Sequence, residues 1–216
     1  SKVGITLYKY YINQISNILK TLGININTSP VLDRLYGFTN DFLKKRIYSS
    51  NINTIRTLSN ICISSFKKNK ISTVVKHIPG HGLAKSDSHK RLPIINKSNS
   101  FLSNNDFKCF TNNKALFAMT AHILFKKIDN KNCATHSKKI INNVIRKKIG
   151  FKGIIISDDI SMKSLKYDLV KNALISLEAG CNLALYCGGR SKESLKLLKK
   201  IPPIDEFTKK KNFGIL

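Results

Sequence analysis

The chain has 216 residues, 42% of them hydrophobic, enough for one domain with a sizeable core. No apolar run approaches the roughly 18 residues of a membrane span, and the N-terminal "SKVGITLYKYY" lacks the apolar segment of a signal peptide. The net charge of +26 raises nucleic acid as a partner. Lysine, however, accumulates together with Asn and Ile along the whole chain, without an RNA-binding aromatic signature or a zinc finger. The charge therefore reads as compositional drift that still draws anionic ligands.

In chain order, Ile5, Tyr8, Ile12, Ile15, Leu19 and Leu22 recur at helical spacing, and Gly23 suits the helix end. "ININTSPVLD" predicts a short strand ending at 30–33, and 51–69 a second helix. "ISTVV" (71–75) is a β-rich run that leads straight into "KHIPGHGLAKSDSH" (76–89). "ALFAMTAH" (115–122) is the next strand. "THSKKIINNVIRKKIG" predicts a helix with Gly150 at its end. "GIIISDD" (153–159) is a strand buried on both faces by its continuous isoleucines. Residues 161–179 predict a helix closed by Gly180, "NLALYC" (182–187) a fifth strand, and "SKESLKLLKK" a closing helix; the tail "DEFTKKKNFGIL" reads as loosely held.

Strands alternating with helices imply parallel βαβ units. Polar residues gather at the strand C-termini: Asp33, Lys76–His77, His122, Asp158–Asp159 and Cys187–Gly189. In a (β/α)8 TIM-type barrel that is the catalytic rim, and an open doubly wound sheet places ligands there too. No Gly-rich phosphate loop follows any strand, so nothing points to a nucleotide, and no other cofactor is expected. Without an internal repeat or a low-complexity linker, 1–216 reads as one domain. Cys62, Cys109, Cys133, Cys181 and Cys187 are scattered with no CxxC pair, which points to reduced thiols and a cytoplasmic location.

The stretch 76–89 holds three of the five histidines. Pro79 and Gly80 force a turn, and Gly82 is expected to free the loop to move. Asp87, two residues before His89, can bond an imidazole nitrogen and hold its tautomer, which is how a mobile general acid/base is built. A metal site is not expected: Pro79 and Gly80 between His77 and His81 preclude a helix face, and no Glu lies nearby. In "SDDISM", alternation lets only one of Asp158 and Asp159 enter a given pocket. Asp159 suits the N-cap of the helix over 161–179, which leaves Asp158 for the pocket. A carboxylate opposite a protonated imidazole is a nucleophile and acid pair, as in retaining glycoside hydrolysis.

"KHIPGHGLAKSDSH" and "GFKGIIISDDISM" resemble family 3 glycoside hydrolases, in particular the bacterial β-N-acetylhexosaminidases of peptidoglycan recycling. The first stretch matches the family signature K-H-[FI]-P-G-H-G-x4-D-S-H at every fixed position. "SPVLD", "MTAHILF" and "LEAGCNLALYC" are similar to the family's strand-end segments, in the family's order. The resemblance implies Asp158 as nucleophile, His89 as acid/base and Asp87 as its partner, with Lys76, His77 and Arg46 binding the sugar. Ile47 stands where the family usually has Ser after that arginine. His81 and His122 are expected to shape the pocket, and Asp33 to sit at its rim or cap a helix. The implied substrate is a terminal β-linked N-acetylglucosamine, as an amino-sugar glycoside or muropeptide. No membrane and no specific nucleic acid is an expected partner.

The family barrel has eight strands and this chain shows about five βα units, so the barrel is expected to be incomplete, with the N-terminal strands missing. The missing part would include the D-Q-E-G-G-x-V-x-R stretch, and a missing N-terminal segment is a candidate partner. Unclosed units leave strand edges unpaired. Two alternatives accompany the hydrolase: a glycoside phosphorylase, since a histidine acid/base spares phosphate a second carboxylate, and a silent basic remnant binding anionic polymer.

Overall fold

The computed structural model describes residues 2–212. Helix α1 (Lys2–Thr21) is followed by strand β1 (Ile26–Asn27), the single-turn helix α2 (Asp41–Lys44), helix α3 (Ile52–Lys68) and strand β2 (Ser72–Ile78). Next come β3 (Ile94–Ile95), α4 (Asn99–Asn104), β4 (Phe117–Thr120) and β5 (Leu124–Phe125). A π-helix over Ile140–Lys148, β6 (Ile154–Ile156), α5 (Leu169–Ala179), α6 (Ser191–Leu198) and α7 (Glu206–Asn212) complete the chain.

The main sheet runs β1-β2-β4-β6, all parallel. Val31 bridges to Lys76 beside β1, and Leu183 bridges to Ile156, so the 182–187 segment lies along the far edge. All five expected segments therefore lie side by side in sequence order, the arc of a TIM-type barrel. Two fall short of expectation: the first strand is Ile26–Asn27 with a lone bridge at Val31, and 182–187 joins only through the bridge at Leu183. Among the described residues the arc does not close. A second, two-stranded parallel sheet of β3 and β5, not foreseen from sequence, sits beside the strand C-termini.

The strands are buried because helices cover their outer face. Ile55, Ile63, Phe107, Phe110, Ile140, Ile141 and Ile145 pack against Val75, Ala118 and Ile155 in one continuous core. α1 rests on α3 through Tyr8, Ile12, Ile15 and Leu19 against Cys62, Phe66 and Ile71, the stripe predicted from its spacing. The helices start where side chains can accept the first free N–H groups: Asn51 from Thr54, Ser98 from Phe101, and Asp168 from Val170 and Lys171. Gly180 ends α5 at φ 114°, a conformation that suits glycine.

Two expectations are corrected. The helix predicted over 161–179 begins only at Leu169. Buried Asn172 donates from its amide to the carbonyls of Ile160 and Tyr167, pinning 160–167 as turns, and Asp168 then caps the helix. The tail is not loose over its first part. Asp205 accepts from the Thr208 N–H, Thr208 is fully buried, and Phe207 lies 5.9 Å from the Arg146 guanidinium carbon. Residues 213–216 lie outside the described range.

Candidate active site

The site grows from the C-terminal end of β2. The register between β2 and β4 shifts between Lys76 and Ile78, and the Lys76–His77 and Ile78–Pro79 peptides are cis. Asp33, fully buried at the end of the neighbouring segment, is the hub. Its carboxylate accepts from the backbone N–H groups of His77 (3.2 Å) and His81 (2.7 Å) and from His77 Nδ1 (2.7 Å). Burial alone would raise its pKa, but His77 and His81 outweigh that and hold it below the usual carboxylate range. Asp33 is thus neither a helix cap nor a rim residue. With Nδ1–H donated to Asp33, the Nε2 of His77 is left for the pocket.

Gly82 has a different purpose from the mobility expected of it. A Cβ there would lie 1.8 Å from the Arg34 carbonyl oxygen, so the loop packs backbone to backbone, and the Gly82 carbonyl accepts from Thr39 Oγ1 at 2.8 Å. Gly82→Ala is expected to cost at least about 2–3 kcal/mol, the upper range for overpacking, because backbone cannot swing aside. A thermal melt of the variant checks this.

Farther along, His81 Nε2 meets Ser88 Oγ at 3.1 Å, tying the start of the loop to its end. Burial, then the adjacent His77, lowers the His81 pKa to about 4, so it is neutral at neutral pH. Asp87 Oδ1 accepts from the His89 N–H at 2.9 Å and meets His89 Nδ1 at 2.8 Å. The His89 side chain is 52% exposed and Asp87 20%, so the imidazole projects into open space from a fixed base.

From the adjacent strands come Asp158 and His122. Asp158 follows β6 and accepts from the Asp159 N–H at 2.9 Å. Burial pushes its pKa up, but His77 and His122 more than offset this, and the carboxyl stays below the usual range. Asp159 points away: its carboxylate holds Ser161 and the Cys187 N–H, closing a turn and not, as expected, capping a helix. His122 Nε2 donates to the Asp159 carbonyl at 3.0 Å, which leaves Nδ1 to accept from Thr135 Oγ1 at 2.7 Å. The ring is buried and its pKa is lowered by that burial.

One pocket at the strand C-termini is lined by Asp158, His77, Asp87 and His89, together with His81, Ser88, Asn40 and Phe42. Lys76 and Arg46 are not among its lining residues. Lys76 is nevertheless coupled to it: burial and then Arg46 lower the Lys76 pKa, while Asp158 and Asp33 oppose them. Arg46 is exposed just past α2, with its guanidinium carbon 5.1 Å from the Phe42 ring centroid. Chemically the pocket offers an ionised carboxylate, an imidazole with one nitrogen anchored and the other free, and hydrogen-bonding groups from β2.

Behind it lies a residue the sequence reading passed over. Asp106 is buried under Gly80, accepting from Tyr36 Oη at 2.8 Å while its Oδ1 has no partner. Burial raises its pKa to about 6. A folded-state pKa above the unfolded value of 3.8 means its favourable contribution is complete below that value and is lost as pH rises through about 6. Asp33 has the opposite sign, stabilising above the ordinary carboxylate range and failing as pH falls. Asp106→Asn should therefore gain on the parent by about 2 kcal/mol between pH 4.5 and pH 8. Denaturant melts at the two pH values measure this.

Comparison with known proteins gives matches over most of the chain. The model for "Glycosyl hydrolase family 3 N terminal domain" matches residues 4–208. A β-hexosaminidase from Methylobacillus flagellatus is 32% identical over 174 residues, covering 78% of this chain and 49% of that protein. One from Psychromonas ingrahamii is 35% identical, covering 78% and 51%. The crystal structure of NagZ from Neisseria gonorrhoeae in complex with N-trifluoroacetyl-D-glucosamine superposes with a TM-score of 0.88 at 25% identity, over 100% of this chain and 63% of that one. A family 3 β-N-acetylglucosaminidase from Paenibacillus gives 0.85 at 27%, over 98% and 42%. The chain spans about half the length of the curated relatives it matches.

Proposed function

Because the chain belongs to glycosyl hydrolase family 3, we propose that its pocket removes terminal β-linked N-acetylglucosamine by a retaining mechanism. The observation that carries this reading is the convergence of Asp158 with the Asp87–His89 pair in one pocket at the strand ends.

In the first step an Asp158 oxygen attacks the anomeric carbon and the glycosidic C–O bond breaks. The departing oxygen takes its proton from His89 Nε2 while Asp87 holds Nδ1. The product is a glycosyl ester on Asp158. In the second step His89 takes a proton from water, whose oxygen attacks the anomeric carbon and frees Asp158. Two inversions give retention. His77, Lys76 and Arg46 supply hydrogen bonds and positive charge to sugar hydroxyls. His77 is oriented for this by Asp33.

The relatives named above are β-hexosaminidases, which supports an amino-sugar glycoside as substrate, with a muropeptide as its natural form. No helix among the described residues is long and apolar enough to cross a membrane. Four buried free thiols and one exposed suit a reducing cytoplasm.

The test is release of an activated aglycone from a β-N-acetylglucosaminide by the purified chain, repeated in phosphate buffer. Hydrolysis yields free sugar in both. Sugar phosphate in the second buffer would replace this reading with a phosphorylase, and no release in either would remove it.

A further inference from the structure

Phe42 stands between His89, which lines the pocket, and Arg46, which lies outside its lining. Its ring meets the His89 imidazole edge to face, with centroids 4.8 Å apart and planes at 74°. The Arg46 guanidinium carbon lies 5.1 Å from the same ring centroid. Core packing does not explain this placement. Leu43, 2% exposed, anchors α2, whereas Phe42 beside it is 51% exposed and lines the pocket. Asn40 fixes the ring's base by accepting the Phe42 N–H at 2.9 Å, and itself lines the pocket. His89 needs such a support. Asp87 constrains Nδ1 and the backbone N–H, but both bonds come from two residues away on the same loop and set the ring only against that loop. The Phe42 ring is a contact to His89 from another element, and ring stacking with both cation and imidazole is directional.

We propose that Phe42 is a positioning residue. Its ring fixes the angle at which His89 presents Nε2, and it links that angle to Arg46, so that sugar binding and proton delivery share one support. This rests on His89 being the acid of the proposed hydrolysis. Phe42 acts through His89 and takes no part in bond making.

Two variants separate this from a structural role: Phe42→Leu keeps an apolar side chain without the ring, and Phe42→Tyr keeps the ring. With an unactivated alkyl aglycone, Phe42→Leu should lower kcat about 10- to 100-fold, within the range of misplaced general acids. With an activated aryl aglycone kcat/KM, which reports the first step alone, should change less than about threefold. Phe42→Tyr should restore both. Equal loss on the two aglycones, no loss, or a Tyr variant that behaves like Leu overturns the proposal. A second arm needs no turnover. In the parent chain NMR should show ring-to-ring Overhauser contacts between Phe42 and His89, with His89 becoming mobile in Phe42→Leu and ordered again in Phe42→Tyr. Absence of the contact, or equal order in all three, overturns the proposal too. If the parent releases neither aglycone, the proposed activity fails and the NMR arm decides the positioning role by itself.

Discussion

Asp158→Asn should lose roughly 10⁴- to 10⁶-fold in kcat/KM, the scale on which removing a covalent nucleophile acts. The amide is isosteric and can still accept the Asp159 N–H that Asp158 Oδ1 holds, so the melt should stay near the parent's. What disappears is the charge. His77, His122, the Asp159 N–H and His81 are arranged around an ionised carboxylate and hold its pKa down against burial. Asp159→Asn should behave in the opposite way. Its carboxylate holds Ser161 and the Cys187 N–H. Its loss should lower the melting temperature first, and activity only as the turn loosens. Steady-state kinetics beside thermal melts on both variants separates the two aspartates. If the two lose activity equally at equal stability, Asp158 has no special role.

His89→Ala should show its effect through the leaving group. A poor aglycone needs a proton as the bond breaks, and general acid catalysis typically contributes about 10²–10⁴-fold. An activated aryl aglycone needs little help, so its first step should be nearly unchanged, although deglycosylation slows because water loses its base. Asp87→Ala should act in the same direction but less, since the ring survives and what is lost is its Nδ1 anchor at 2.8 Å and the bond to its backbone N–H at 2.9 Å. Kinetics on a series of aglycones, with early-burst and steady-state rates separated, reads both steps. A uniform loss across the series would remove His89 from the acid role.

The physical features that made the site legible were local. The β-rich run at 71–75, the largely apolar run at 115–122 and the continuous isoleucines at 154–156, alternating with helices, implied parallel strands with the chemistry at their ends. The Asp87–His89 bond spans two residues, so its spacing was visible in the sequence. The features that escaped are those made by register between distant segments. Asp33 reaches His77 across 44 residues and Asp106 reaches Tyr36 across 70. Nothing near either aspartate in sequence announces such a partner. The shortened helix before Leu169 has the same origin, because buried Asn172 rewards turns at 160–167 that helix periodicity cannot reveal. Phe42 escaped because an exposed aromatic on a single-turn helix carries no pattern; only the folded loop brings His89 against it.

The central claim is that Asp158 becomes covalently bonded to the sugar. A 5-fluoro N-acetylglucosaminyl donor with an activated leaving group slows both steps while the leaving group speeds the first, so the glycosyl ester accumulates. Intact-mass and peptide mass spectrometry of the inactivated chain should show one sugar per chain, on a peptide containing Asp158. His89→Ala should still label, because the activated leaving group departs without a proton, and Asp158→Asn should not. A sugar found on any peptide that lacks Asp158, or hydrolysis of the natural linkage that proceeds undiminished in Asp158→Asn, would contradict the account.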